Sequence, residues 1–188
     1  MGFHGYAESV DVEFERLRSI PGSDRWLIAA VQGLHRFYRR RTNEVVASWM
    51  TSQDRDLAIA DNIAYISAGL EAIVVEFQPL PKLVLSGFSQ GASMAYRSAL
   101  NASLPVAGLI SLAGDIPPEL DVAALGRIPR VLLGRGDQDD WYTAAKFEAD
   151  EKRLREAGIE VRGVGFHGGH EWTEVFNRAA GDFLKLCF

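Results

Sequence analysis

Cysteine is nearly absent from this chain: Cys187, close to its end, is the only one. A lone thiol cannot close an internal disulfide, and no His or Cys stands beside it in sequence, so neither a disulfide framework nor a metal knuckle is expected. Basic charge is also short, with 20 Lys and Arg against 25 Asp and Glu and a net charge of −5. That balance offers no basic face to a phosphate backbone, so no nucleic acid partner and no polyanionic substrate are expected. Uninterrupted apolar runs fall short of the ~18 residues of a membrane span, and the first residues lack a basic region followed by an apolar one. Stable membrane insertion is not expected, and the expected location is cytoplasmic. Gly2 follows Met1, but Tyr6 stands where a myristoylation signal has Ser or Thr.

What is present belongs to a globular chain. The sequence has 188 residues, 47% hydrophobic and 24% charged, a balance that predicts one domain over residues 1–188 with one sizeable core. Short β-branched or leucine-rich runs alternate with longer helical patterns, which in one dimension is a mostly parallel sheet with helices on both faces. The expected strands are Trp26–Val31, Lys82–Gly87, Val106–Leu112, Arg130–Gly134 and Val161–Phe166, several almost continuously apolar, as doubly covered strands are. Between them, apolar spacings of three and four predict helices over Asp54–Phe77, Gln90–Asn101, Trp141–Ala157 and Trp172–Leu186. Pro79 and Pro81 close the first helix, and Gly158 stands where the third needs a left-handed cap. Residues Gln32 to Gln53 show no clear period and read as a long loop with one short strand at Val45–Trp49. Gly2-Phe3-His4-Gly5 reads as the end of a strand whose beginning is missing, so the chain is expected to lack the first N-terminal strands.

The chemistry starts at Lys82-Leu-Val-Leu-Ser-Gly-Phe-Ser-Gln-Gly91, an apolar strand running into Gly87-x-Ser89-x-Gly91 and then a helical run. A strand, a sharp turn and a helix are the setting of a nucleophile elbow. Ser89 at the tip takes a strained backbone, the flanking glycines avoid collision with neighbouring segments, and the helix start points free amides at the reaction centre. The competing reading is a glycine-rich turn in which Ser89 only caps the helix. A hydroxyl needs a base and an acid that orients it, and on this scaffold they follow in the order Ser, Asp or Glu, His. After Ser89 only His167 and His170 remain, both in Phe-His-Gly-Gly-His-Glu-Trp. His170 is preferred, because Gly168-Gly169 frees the loop to return it toward Ser89; His167 reads as a rim or solvated residue. For the acid, Asp137, Asp139 and Asp140 compete in the loop after Arg130–Gly134, and one of the others is expected to cap the helix starting near Trp141. Asp115 follows an earlier strand and reads as a turn residue. The oxyanion amides are expected from Gln90, after the nucleophile, and from Tyr6, in the early His4-Gly5-Tyr6 turn.

In this order, His4-Gly5-Tyr6, Gly87-Phe88-Ser89-Gln90-Gly91, the aspartate loop and Gly169-His170 resemble the phospholipase/carboxylesterase family of α/β-hydrolases. The Gly-Phe-Ser-Gln-Gly form is the most specific of the four, and together they span nearly the whole chain. The resemblance implies the α/β-hydrolase fold, a triad of Ser89, Asp139 and His170, no cofactor and no metal, and hydrolysis of a small-molecule acyl ester, thioester or lysophospholipid. It selects Asp139 because a His-Gly-x-x-Asp pattern laid over Arg135-Gly136-Asp137-Gln138-Asp139 ends there. Arg135 departs from that pattern, as does the start, where members carry one or two further strands. Phe37, Tyr38, Trp49 and Met50, in the region that matches least, are the candidates for an acyl site. An amidase or peptidase would carry the same triad, and an inactive binding protein on the same fold is the reading from another class.

Overall fold

The structure, a computed structural model, describes all residues from Met1 to Phe188. Its frame is a six-stranded, wholly parallel sheet made of β1 (Gly2–Phe3), β2 (Ala30–Val31), β5 (Leu83–Phe88), β6 (Val106–Leu112), β7 (Arg130–Gly136) and β8 (Glu160–Phe166). In space the strands run β2-β1-β5-β6-β7-β8. All six residues of β5 are buried, which explains its almost continuously apolar character, whereas the edge strand β8 exposes Glu160 and Arg162. A separate antiparallel hairpin, β3 (His35–Tyr38) with β4 (Val45–Ser48), stands beside the sheet.

Helices cover both faces. On one lie α1 (Val10–Ser19) and α6 (Glu174–Leu186), joined where the Asn177 amide donates to the Ser19 carbonyl. On the other lie α3 (Gln90–Asn101) against β1, β5 and β6, and α5 (Ala144–Glu156) against β7 and β8. A short α4 (Val122–Leu125) precedes β7. Helix α6 presents Phe176, Ala180, Phe183 and Leu184 to the sheet at helical spacing and is capped by Thr173, whose hydroxyl accepts from the Phe176 amide. Gly158, at φ +76°, ends α5 in the left-handed conformation expected of it.

Helix α2 (Arg55–Phe77) forms where a helix was expected and is apolar over most of its length. It contains an 18-residue window of mean hydropathy 1.5, long and apolar enough to cross a membrane by length and composition. Asp61, Asn62 and Glu71 interrupt the run in sequence, which is why it does not read as one. Its Ala58, Asn62, Ile66 and Leu70 form the buried stripe, and the helix packs on α3. Differences lie nearby. The strand expected over Trp26–Val31 shrinks to Ala30–Val31, because a short 3-10 turn at Ser23–Arg25 delivers the chain to the sheet late. In the region expected as a loop with one short strand at Val45–Trp49, that strand is present as β4 and is paired by β3, which was not expected, and neither was α1.

The sheet order sets the position of the site. The chain leaves β1 through α1 to β2 on one side, then returns through the hairpin and α2 to β5 on the other, so the order reverses between β1 and β5. Ligands of open parallel sheets bind at the carboxyl ends of the strands at such a reversal. His4 to Tyr6 leave β1 there, and Ser89 leaves β5 beside them.

Candidate active site

Ser89 sits between the last residue of β5 and the first of α3 at φ 54° and ψ −120°, a backbone region that L residues rarely occupy. Its amide donates to the Leu112 carbonyl on β6, and its carbonyl accepts from Ala92, so the strained turn is fixed from both sides. A Cβ at Gly87 would overlap the Gly91 carbonyl, and one at Gly91 would overlap the Phe3 carbonyl of β1. The two glycines are therefore required by close backbone approach across the turn.

His170 reaches this serine from the loop between β8 and α6. Its Nε2 lies 2.8 Å from Ser89 Oγ and its Nδ1 lies 2.8 Å from Asp139 Oδ2. With Asp139 ionised, Nδ1 must donate to it, which leaves Nε2 to accept the serine proton. The Asp139 side chain is fully buried, and its other oxygen accepts from the amides of Trp141 (2.8 Å) and Tyr142 (2.9 Å). Asp137 makes a different pair two residues earlier. It faces His167 Nδ1 at 3.1 Å and accepts from the Gly168 amide, but His167 is 81% exposed and Asp137 is 56% exposed. The Gly168 amide and then His167 hold the Asp137 carboxyl below its ordinary range. Neither Asp137 nor Asp140 caps α5, contrary to expectation. The helix begins at Ala144 behind Thr143, and residues 140–142 form a turn around Asp139. Arg135, the departure from the family pattern, braces that turn by donating from Nε to the Tyr142 carbonyl.

The amides expected to hold an oxyanion both border the same cleft. Gln90 is the first residue of α3, so its amide has no partner within the helix. Its side chain ties the elbow to the β4–α2 connection, accepting from the Trp49 amide (2.9 Å) and donating to the Met50 carbonyl (2.9 Å). The Tyr6 segment is held by three neighbours. The buried His4 ring donates to the Gly5 carbonyl and accepts from the Gly33 amide, and the Gly5 amide donates to Glu8. Glu8 is gripped through both oxygens by Arg16, at 2.6 Å each, and the Arg16 guanidinium lies 4.4 Å over the Phe88 ring. Burial alone would raise the Glu8 carboxyl, but the hydrogen bonds and charge of Arg16 outweigh it and hold it below its ordinary value. Sequence reasoning missed Glu8 and Arg16. Their eight-residue separation across an unrecognised helix carried no local signal.

The cleft has a volume of about 990 Å³. Of the four acyl-site candidates only Met50 borders it. Trp49 is fully buried, stacked on His4 at 5.1 Å, because its indole N–H is committed to the His4 carbonyl. Phe37 rests on Tyr6 at 5.8 Å, and Tyr38 points to solvent from the hairpin.

The comparisons with known proteins agree with this architecture. The sequence profile of the Phospholipase/Carboxylesterase family matches residues 45–188. The chain is 27% identical to acyl-protein thioesterase 1 of Neurospora crassa over 96% of its own length and 80% of that protein. Among solved structures it is similar to esterase PE8, with a TM-score of 0.74 and 25% identity, over 100% of this chain and 91% of that one. It also resembles the Bacillus cereus carboxylesterase in fold, with a TM-score of 0.75 and 17% identity, over 100% and 87% of the two chains. A parallel sheet with helices on both faces and a profile match across most of the chain lead to one conclusion: this chain belongs to the phospholipase/carboxylesterase family of α/β-hydrolases and is a hydrolase of the esterase/thioesterase type.

Proposed function

We propose that the chain, acting as one catalytic domain, hydrolyses small-molecule carboxylic esters or thioesters through an acyl-enzyme on Ser89. The observation that carries this reading is the unbroken relay from Ser89 Oγ to His170 to Asp139, with both hydrogen bonds at 2.8 Å. Ser89 Oγ attacks the carbonyl carbon while His170 Nε2 takes its proton, and Asp139 stabilises the imidazolium that forms. The tetrahedral oxyanion lies between the Tyr6 and Gln90 amides. Collapse breaks the bond to the leaving alcohol or thiol, which departs with the proton from His170. Water then enters, gives a proton to the same nitrogen, and attacks the acyl carbon. The second collapse returns that proton to Ser89 and releases the acid. Every step uses a group of this chain, water or the substrate, so no cofactor is invoked. The free, buried Cys187 suits a reducing compartment, and the proposed location is the cytoplasm.

A fluorophosphonate probe tests the reading directly. Stoichiometric labelling at Ser89, lost in Ser89→Ala, is the expected result. A folded protein that takes no label would favour a binding function for the same scaffold. A panel of p-nitrophenyl esters beside acyl-CoA and a lysophospholipid then sorts ester, thioester and lysophospholipid substrates.

A further inference from the structure

The cleft beside Ser89 is lined by Arg39, Arg55, Arg97 and Lys146 but only two carboxylates, Glu8 and Asp115. Most of these charges are already committed. Glu8 is held by Arg16, Lys146 pairs with Asp115 at 3.1 Å, and Arg39 donates to the Ala7 carbonyl and faces Glu44. Arg55 and Arg97 remain. Arg97 is 1% exposed and lies on α3 two turns beyond Ser89. Glu119 accepts from its Nε at 2.7 Å and also lies 2.6 Å from Nη2, but the Nη1 amino group has only the thioether sulfurs of Met50 and Met94, each at 3.9 Å. A buried guanidinium nitrogen with only sulfur neighbours lacks an oxygen acceptor.

Arg55 adds a second, independent mismatch. Its side chain makes no hydrogen bond and has no carboxylate within 4.0 Å, although the residue is half-buried. It is also the first residue of α2, where the helix dipole disfavours a cation, and Asp54 before it makes no capping bond. The Arg55 charge is close enough to act on Arg97: burial first, and then the charge of Arg55, lower the Arg97 guanidinium against the pull of Glu119. Two arginines line one cleft, and the partly exposed Glu119 pairs with Arg97 alone, which leaves an excess positive charge and unfilled donors.

We infer that Arg55 and Arg97 form an anion subsite in the cleft, so that the preferred substrate is an ester or thioester carrying a carboxylate or phosphate group remote from the scissile carbonyl. Eight residues of helix separate Ser89 from Arg97, about 12 Å at 1.5 Å per residue. Side chains lean toward the helix N-terminus, so the charged group of the substrate is held within that distance of the reacting carbon. The anion can lie on the acyl chain or on the leaving group, since both share the chemistry that the arginines recognise. This inference rests on the proposed hydrolysis at Ser89 for its kinetic form, but not for binding.

The test compares p-nitrophenyl hexanoate with the mono-p-nitrophenyl ester of adipic acid, which adds one carboxylate at the far end of the acyl chain. A parallel arm compares hexanoyl-CoA with the hexanoyl thioester of an uncharged thiol. In at least one arm the anionic substrate should have the higher kcat/KM, and Arg55→Glu should lower the ratio of anionic to neutral substrate by about 10–100-fold, the scale of one charge-assisted hydrogen bond lost. The arm that responds identifies the side bearing the anion. The preference should also decline as salt is raised. If both substrates of each pair are hydrolysed and the ratio does not change in Arg55→Glu, the subsite is refuted while the hydrolase stands. If no substrate turns over, binding decides: adipate should raise the melting temperature of Ser89→Ala and fail to do so in Ser89→Ala with Arg55→Glu. No effect of adipate in either protein, with no turnover, would overturn both proposals. Arg97→Met probes the buried partner, but because that side chain is core, Arg55 carries the test.

Discussion

Replacing Asp139 by Asn separates catalysis from stability at one atom. Oδ1 of Asp139 accepts from two backbone amides, Trp141 and Tyr142, while Oδ2 faces His170 Nδ1. An Asn side chain satisfies those amides only with its carbonyl, so its NH2 must point at His170. Nδ1 then becomes an acceptor, the proton moves to Nε2, and the ring can no longer take the Ser89 proton. In a serine protease the corresponding change costs about 10⁴ in kcat, and the same order is expected here. Stability should suffer less. Bonds to a charged group contribute about 1.5–3 kcal/mol and neutral ones about 0.5–1.5, so keeping the two amide bonds in weaker form costs about 2–3 kcal/mol. Asp139→Ala should unfold more easily than Asp139→Asn, since it loses both amide bonds outright, at about 1.5–3 kcal/mol each and so about 3–6 kcal/mol together. Initial rates on a p-nitrophenyl ester, with melting curves for both variants and for Asp137→Asn, make the comparison. Asp137→Asn, in a solvent-facing pair, should retain most activity. Activity within tenfold of wild type in a folded Asp139→Asn protein would refute the tautomer argument, and loss of turnover in Asp137→Asn alone would move the acid to the other pair.

His170→Ala should abolish turnover nearly as completely as Ser89→Ala, while His167→Ala, on the exposed pair, should change kcat little; equal losses by esterase assay would undo the base assignment. Glu8→Gln removes the carboxylate that holds both the Gly5 amide and Arg16, and should lower kcat by about 10–100-fold with little change in KM if the Tyr6 segment serves the transition state. Glu13, fully buried and 3.6 Å from Arg16, has its carboxyl pushed up to about 8 by burial, against an ordinary value of 4.5. The folded state therefore keeps a proton that the unfolded chain has lost between those values, and stability must fall as pH rises through that window. From pH 6 to 8 the loss from this group is about 2–3 kcal/mol. Glu13→Gln should remove that slope, so melting temperatures at pH 6 and pH 8 should diverge in wild type by more than in the variant.

The parts of the fold that the sequence revealed are those in which local pattern and burial agree. Strand β5 is buried along its whole length, and α6 repeats apolar residues at helical spacing. The N-terminal region failed for the opposite reason. Helix α1 buries Glu13 and Leu17, so an ionisable residue stands where an apolar one marks the inner face. Strand β3 is three-quarters exposed and has no alternation. The turn after it relies on Asn43 at φ 59°, and the charged run Arg39-Arg40-Arg41 hides it. The brevity of β2 follows from the turn at Pro21-Gly22-Ser23-Asp24, a turn signal that the strand reading passed over, whose backbone bonds run from Ser23 to Ile20 and from Trp26 to Ser23.

The site shows the same division at finer scale. Two Asp–His pairs occupy the loops after β7 and β8: Asp137 with His167, 30 residues apart, and Asp139 with His170, 31 apart. Both pairs satisfy the order Ser, Asp, His, and neither spacing is preferred by chain geometry. What separates them is three-dimensional. The turn at 140–142 folds its amides onto Asp139 and excludes water from it, whereas Asp137 faces outward with the exposed His167. His170 lies 2.8 Å from Ser89 and packs on Phe88, whose ring lies 5.1 Å from the imidazole, whereas His167 faces solvent beside Asp137. Burial thus distinguishes two pairs that the sequence leaves equivalent, and Arg135 donates from Nε to the Tyr142 carbonyl of the turn that buries Asp139. The residue that departs from the family pattern thus braces the turn that surrounds the proposed acid.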